Sequence, residues 1–423
     1  QRQWVVTAYA LAFGALLLLG GRIADYWGRK RTFMVGMLGF GLASAWGGLA
    51  QSGLELILAR GVQGAFAAML APAALAMMTV TFTHGRDRNL AFAIFGIVAG
   101  TGAAIGLLLG GVLTEFANWR WCLLVNLFFV AVGLIAGAIL LRESRAEGNN
   151  RYDWWGAFTV TLGIGSLVYG FTLAERGWTK IDTVSFIAVG IALLIAFVLI
   201  EQRVKQPLLP LRVIVNRVRG GAVLIQAVIG AVMIGSMLYL TFYFQIVMGM
   251  GPLVAGFANL AMTVVILAFS PVTTMLLNRF GPRPLMIGGP LLAAAGLLAL
   301  LRITPEGNYF TEVLPALVVL GIGMSMLFVP IQNLALTGVD PEDAGVASAA
   351  VNSAFHIGGS IGLALFTVLY ASTAATALDG GATQALAFTE GYKAAFLASG
   401  AAMLLAAAIG FFMIKGTRAE LMP

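Results

Sequence analysis

The chain has 423 residues, 60% of them hydrophobic and only 10% charged, with a formal net charge of +7 and a mean hydropathy of +0.94. Soluble domains carry about a quarter charged residues, so this composition excludes a water-soluble globular protein and turns most of the surface toward lipid. One cysteine, Cys122, and two histidines, His84 and His356, exclude an internal disulfide and leave no cluster for a metal or haem.

A helix crossing the hydrocarbon core needs roughly 20 apolar residues, and its backbone groups must be satisfied within the segment. Thirteen such spans are predicted, at 4–20, 32–50, 54–82, 89–113, 121–141, 154–173, 183–201, 219–244, 253–277, 284–301, 312–336, 344–371 and 391–415. Of the 25 Lys and Arg, 18 fall in the loops after odd-numbered spans and in the C-terminal tail, six fall on the opposite side, and Arg60 lies within a span. The basic residues thus follow membrane topology rather than a nucleic-acid surface. The positive-inside rule places the 22–31, 142–153 and 202–218 loops and the C-terminus in the cytoplasm. Gln1 is then on the outer side. With Gln rather than Met at the start and no signal peptide, the simplest expectation is that a first helix is missing from this sequence. The full protein would have fourteen spans, a genuine odd-numbered protein being the alternative.

In chain order, the first landmark is the stretch Gly21-Arg22-Ile23-Ala24-Asp25-Tyr26-Trp27-Gly28-Arg29-Lys30-Arg31 between the first two spans. Its charges sit at a membrane boundary, where Asp25 can reach the positive end of a helix dipole. Arg60 follows, about six positions into an apolar helix, with Gln63 one turn on and on the same face. Ionisable residues within a membrane are costly and generally face a cavity or a partner. In the fourth span, Gly102, Gly106, Gly110 and Gly111 give the small-residue spacing that lets helix backbones approach closely. Trp119, Trp121, Trp154, Trp155 and Trp178 lie near span ends, as an interfacial aromatic belt requires. The loop Asn278-Arg279-Phe280-Gly281-Pro282-Arg283 echoes residues 25–31 and points to a duplicated half, a common transporter plan. His356, in Asn352-Ser353-Ala354-Phe355-His356-Ile357-Gly358-Gly359, is the remaining titratable group well within a span.

Three of these motifs, in order, resemble those of the major facilitator superfamily. They are Gly21-x-x-x-Asp25-x-x-Gly28-Arg29-Lys30-Arg31, Arg60-x-x-Gln63-Gly64, and Gly102-x-x-x-Gly106-Leu107-x-x-Gly110-Gly111. With Trp119-Arg120-Trp121, Asn126 and two extra spans at 154–201, the chain is most similar to the fourteen-span drug:proton antiporter branch. The resemblance implies an all-α polytopic fold of two six-helix bundles separated by two linker helices. Residues 1–141 would form the N-terminal bundle lacking its first helix, 142–218 the linker pair and its loop, and 219–423 the C-terminal bundle.

The resemblance further implies proton-coupled export of small amphiphilic molecules by a monomer in a bacterial cytoplasmic membrane. Membrane lipid would surround it, with no cofactor, no enzymatic activity and no nucleic-acid partner. Gly21, Asp25, Gly28, Arg29, Lys30 and Arg31 would form a cytoplasmic latch, with Asp25 directed at the helix opening at Asp340-Pro341-Glu342-Asp343; a plain positive-inside anchor is the bland alternative. Arg60, Gln63 and His356 would take part in proton coupling, against simple structural roles. Antiporters of this group carry Pro where Leu107 stands, which favours a proton-coupled importer as one alternative; a non-transporting receptor or scaffold is another. No Asp or Glu occupies the middle of a span, so the chief proton carrier is expected in the missing helix.

Overall fold

The computed structural model describes residues 2–82, 102, 105–106, 108–145, 153–204, 207–209, 211, 215–336 and 344–416. It is all-helical over these residues. Twelve long helices are α1 (Arg2–Trp27), α2 (Arg29–Leu49), α3 (Gly53–Thr81), α4 (Trp121–Leu140), α5 (Trp154–Leu173), α6 (Ile181–Glu201), α7 (Arg217–Phe242), α8 (Pro252–Phe280), α9 (Pro282–Ala299), α10 (Leu314–Leu336), α11 (Ala344–Asp379) and α12 (Gln384–Met413). Eleven are long and apolar enough to cross a membrane, and twelve if α1, bent by 51° between Leu17 and Leu19, counts as one span. The spans expected at 4–20, 32–50, 54–82 and from 121 onward each fall on one of these helices. Most of the span expected at 89–113 lies outside the described residues.

The helices outrun the apolar windows that predicted them. Residues 21–27, expected in a loop, continue α1, and Gly28 alone separates it from α2. Hydropathy marks only the length immersed in hydrocarbon, whereas the hydrogen-bonded ladder continues into the polar interface. Gly28 has φ 124°, a conformation that costs other L-residues, and so turns the chain in a single residue. Gly281, with φ 78°, does the same between α8 and α9.

Contacts divide the chain into two units: 1–165, 190–211 and 341–357 in the first, and 166–189, 212–340 and 358–423 in the second. In the first, α3 packs on both α1 and α2, and α2 on α4. In the second, α10 packs on both α8 and α9, and α9 on α12. The second pattern repeats the first helix for helix, with the two glycine turns in equivalent places. The duplication expected from the loop echo therefore extends to packing.

Small residues set the closest crossings. A Cβ on Gly20 would run into the Ala68 carbonyl and one on Gly64 into that of Tyr9, so α1 and α3 meet backbone to backbone. In lipid no hydrophobic effect drives helices together, and such close van der Waals contact replaces it. The tryptophans expected near span ends turn outward: Trp119, Trp121, Trp154, Trp155 and Trp178 are all exposed, as interfacial anchors are.

Candidate functional site

The signature turn is a reciprocal helix clamp. α2 begins immediately after Gly28 with free backbone amides, and Glu143, beyond the end of α4, supplies their acceptor. Its Oε1 accepts from Lys30 N–H at 3.1 Å and its Oε2 from Arg31 N–H at 3.1 Å. In return, Lys30 Nζ donates to the carbonyls of Ala138 and Leu141 at 2.9 and 2.8 Å, satisfying the end of α4. Arg29 N–H donates to Ser144 O at 3.0 Å, and Arg31 pairs with Glu143 at 3.7 Å. An anion thus sits at a helix N-terminus and a cation at a helix C-terminus, each where the macrodipole favours it. Gly28 leaves no room for a side chain, since a Cβ would fall 2.7 Å from the Glu143 carboxyl.

Asp25 lies in the last turns of α1 and pairs with Arg29 at 3.0 Å across the Gly28 joint. The segment 340–343, toward which Asp25 was expected to point, lies outside the described residues. Gly21 faces Pro72 of α3, where a Cβ would make ordinary contact at 3.5 Å. Glu143 was not singled out in the sequence, although it stands between Arg142 and Arg145 just beyond a predicted span.

Arg60 and Gln63 stand together on α3, as their spacing requires, and join three helices. The Arg60 guanidinium donates to the Gln63 side-chain oxygen and, through Nε, to Val5 O on α1 at 3.1 Å. It also lies over the Tyr9 ring, 4.3 Å from the centroid, a cation–π contact. Gln63 Nε2 then donates to Ser44 Oγ on α2 at 2.7 Å, and Ser44 donates to Phe40 O at 2.7 Å. Gln63 and Ser44 are 1% and 0% exposed, so this relay is fully buried at one end and half-buried at Arg60.

The same face of α1 carries aromatic rings toward His356. Tyr9 stacks on Phe13 with centroids 6.0 Å apart, and Phe13 meets the His356 ring edge-on at 4.4 Å. Phe355 packs on His356 at 5.2 Å. A Cβ on Gly14 would fall 2.9 Å from His356 Cβ, so α1 and this part of α11 approach closely. His356, distant in sequence, thereby joins Arg60 and Gln63 in one polar and aromatic strip. Tyr9 and Phe13, its connecting rings, carried no sequence signal beyond ordinary apolar periodicity.

The fourth-span motif is only partly described. Leu107 lies outside the described residues, and so does His84. An added Cβ at Gly102, Gly106 or Gly110 would meet none of the described atoms within 4 Å. Gly110 O accepts from Thr114 Oγ1 at 2.7 Å, and Gly111 is buried.

Two acids at helix ends have structural partners. Ser52 Oγ accepts from Glu55 N–H at 3.2 Å while Glu55 accepts from Gln51 N–H at 2.8 Å, an N-terminal capping arrangement. Glu312 accepts from the Thr304 backbone and hydroxyl at 2.9 and 3.1 Å. In the second unit, Tyr239, Tyr243, Tyr370 and Tyr392 form a ring cluster whose closest pair, Tyr370 and Tyr392, is 5.0 Å apart. Tyr239 bonds Thr367 and Tyr243 donates to Thr304 O, both at 2.7 Å. The rings of Tyr239, Tyr243 and Tyr392 are buried core.

Comparison with known proteins places these features. Residues 1–363 match the family profile of the Major Facilitator Superfamily. The chain is 42% identical over 421 residues to the puromycin resistance protein pur8 of Streptomyces alboniger, covering 98% of this chain and 84% of that one. It is 37% identical to the cephamycin export protein CmcT of Amycolatopsis lactamdurans, covering 88% and 77% respectively. Among solved structures, it resembles an auto-inhibited POT family peptide transporter with a TM-score of 0.67 at 17% identity, over 98% of this chain and 89% of that one. At that identity the likeness is one of fold.

Proposed function

The chain belongs to the Major Facilitator Superfamily of integral membrane transporters, and we propose that it exports small amphiphilic compounds of the antibiotic type in exchange for protons. The observation that carries the direction is the set of relatives named for resistance and export: puromycin and cephamycin above, and tetracenomycin C in Streptomyces glaucescens at 32% identity. The proposed setting is a bacterial cytoplasmic membrane, with the C-terminus inside, as the loop charges require.

The coupling role is assigned to the Arg60 strip. Arg60 is a fixed cation whose neighbours, Tyr9, Gln63 and the Val5 carbonyl, hold its position without neutralising its charge. That fixed positive charge disfavours a proton on a carrier brought beside it and so favours its release. The aromatic rings of Tyr9 and Phe13 offer apolar and cation–π surface for an amphiphile beside that charge. The clamp built on Gly28, Lys30 and Glu143 holds α2 and α4 as one body, so movement is concentrated elsewhere.

The test is transport in inverted vesicles containing the full-length protein. Addition of puromycin to acid-loaded vesicles should release protons, and Arg60→Ala should abolish that release while leaving the protein folded. Normal drug-induced proton release by Arg60→Ala would remove Arg60 from coupling. Failure of any resistance-type compound to release protons in the wild type would remove the export reading.

A further inference from the structure

The helix pair α5–α6, inserted between the repeats, carries a buried carboxyl pair that the transport reading leaves unused. Asp153 precedes α5 and Glu201 closes α6, and they are only 6% and 4% exposed. Each spends one oxygen on a backbone amide. Gly156 N–H donates to Asp153 Oδ1 at 2.8 Å, and Leu209 N–H donates to Glu201 Oε2 at 2.9 Å.

The other two oxygens, Asp153 Oδ2 and Glu201 Oε1, are buried and have no hydrogen-bond partner among the described residues. Both converge on one spot. A Cβ on Gly156 would run into Asp153 Oδ2 and lie 2.8 Å from Glu201 Oε1, so only a glycine leaves that space to the carboxyls. Among the described residues, neither acid forms an ion pair. The charged groups on the packed elements are Arg22 of α1, which donates to Pro207 O at 2.7 Å, and the exposed Arg203 after α6. Neither is bonded to the pair. Arg151 and Lys205 lie outside the described residues.

Two carboxylates facing each other in a buried site cannot both stay ionised without a counter-charge; like charges at a shared site force one group to keep its proton. One proton meets the whole deficit: it turns one unpartnered oxygen into a donor and the other into its acceptor, and it leaves a single negative charge held by two amides. We propose that Asp153 and Glu201 form a proton-binding site that holds a single shared proton between Asp153 Oδ2 and Glu201 Oε1. Because the two acids belong to the start of α5 and the end of α6, the bound proton fastens these helix ends and the 207–209 segment together. Loss of the proton sets two buried charges against each other and releases the joint. The site stands apart from the Arg60 strip and does not depend on the direction or coupling of transport.

Infrared difference spectroscopy on the purified full-length protein, titrated from neutral to alkaline pH in H2O and D2O, tests this directly. The wild type should show a carboxylic-acid C=O band at neutral pH that shifts on deuteration and disappears on alkalinisation. Asp153→Asn and Glu201→Gln should each lack that band, because the introduced amide donates to the remaining carboxylate without a titrating proton. For the same reason the apparent melting temperature should fall with rising pH in the wild type and stay level in either variant. Absence of the band from the wild type at neutral pH overturns the proposal, as does its persistence in both variants. Recovery of wild-type stability at alkaline pH by sodium or potassium chloride, with no such recovery in the variants, would show a cation site instead and equally overturn it. If neither variant folds, the titration of the wild-type band alone decides the question.

Discussion

Replacing Glu143 by Ala should loosen the joint between α2 and α4, and the size of the effect follows from what the carboxylate touches. It accepts from the backbone amides of Lys30 and Arg31 at 3.1 Å each, closing two of the free donors at the start of α2. Loss of an N-cap acceptor costs about 1 kcal/mol, and the charge-to-dipole part of that helix end adds about 0.3–1 kcal/mol. The Arg31 ion pair, at 3.7 Å with Arg31 largely exposed, adds little. The expected loss is therefore about 2 kcal/mol for Glu143→Ala and about half of that for Glu143→Gln, which keeps one acceptor oxygen. Lys30→Ala removes the donor to Ala138 O and Leu141 O and should cost about 1 kcal/mol. A unit of 150–250 residues loses roughly 2–4 °C per kcal/mol. Thermal unfolding can be followed with a thiol-reactive dye, since Cys122 is the sole cysteine and half-buried. The charge swap Lys30→Glu with Glu143→Lys is the decisive variant. It restores an ion pair but presents a cation to a helix N-terminus and an anion to a C-terminus, so it should be less stable than either single variant. Wild-type stability of the swap, or of Glu143→Ala, would refute the clamp.

Gly64→Ala should destabilise the α1–α3 crossing by about 1–3 kcal/mol because its Cβ meets the Tyr9 carbonyl. Gly61→Ala, with nothing within 4 Å, should be neutral or slightly stabilising in the same unfolding assay. Gln63→Leu preserves volume but removes the donor to Ser44 Oγ and the side-chain acceptor of the Arg60 guanidinium, costing about 1–3 kcal/mol. The same substitution in a Ser44→Ala background should cost less, and strictly additive losses in a double-mutant cycle would show that the relay is not a unit. His356→Phe keeps a ring against Phe13 and removes the imidazole nitrogens; it should lower drug-driven proton release, and undiminished release would exclude His356 as a carrier.

Class, span positions and the identity of the signature residues were legible in the sequence because each is a local property. Twenty apolar residues in a row can satisfy their backbones in lipid only as a helix, and the spacing of Arg60 and Gln63 puts them on one helical face wherever α3 goes. The glycines at 28 and 281 were legible as parts of two matching loops, and their positive φ shows why glycine stands at both. Tertiary structure decided who meets whom. It gave the free amides of α2 to Glu143, while Asp25 pairs with Arg29 across the Gly28 joint. It brought His356, nearly three hundred residues away, to the aromatic face that begins at Arg60. It also set Asp153 against Glu201, two acids that nothing in the sequence linked. Periodicity fixes which face of a helix a side chain occupies, but the partner across that face comes from a segment whose distance along the chain carries no energetic mark. Only the packed helices determine whether a charge meets a dipole, a ring or another charge.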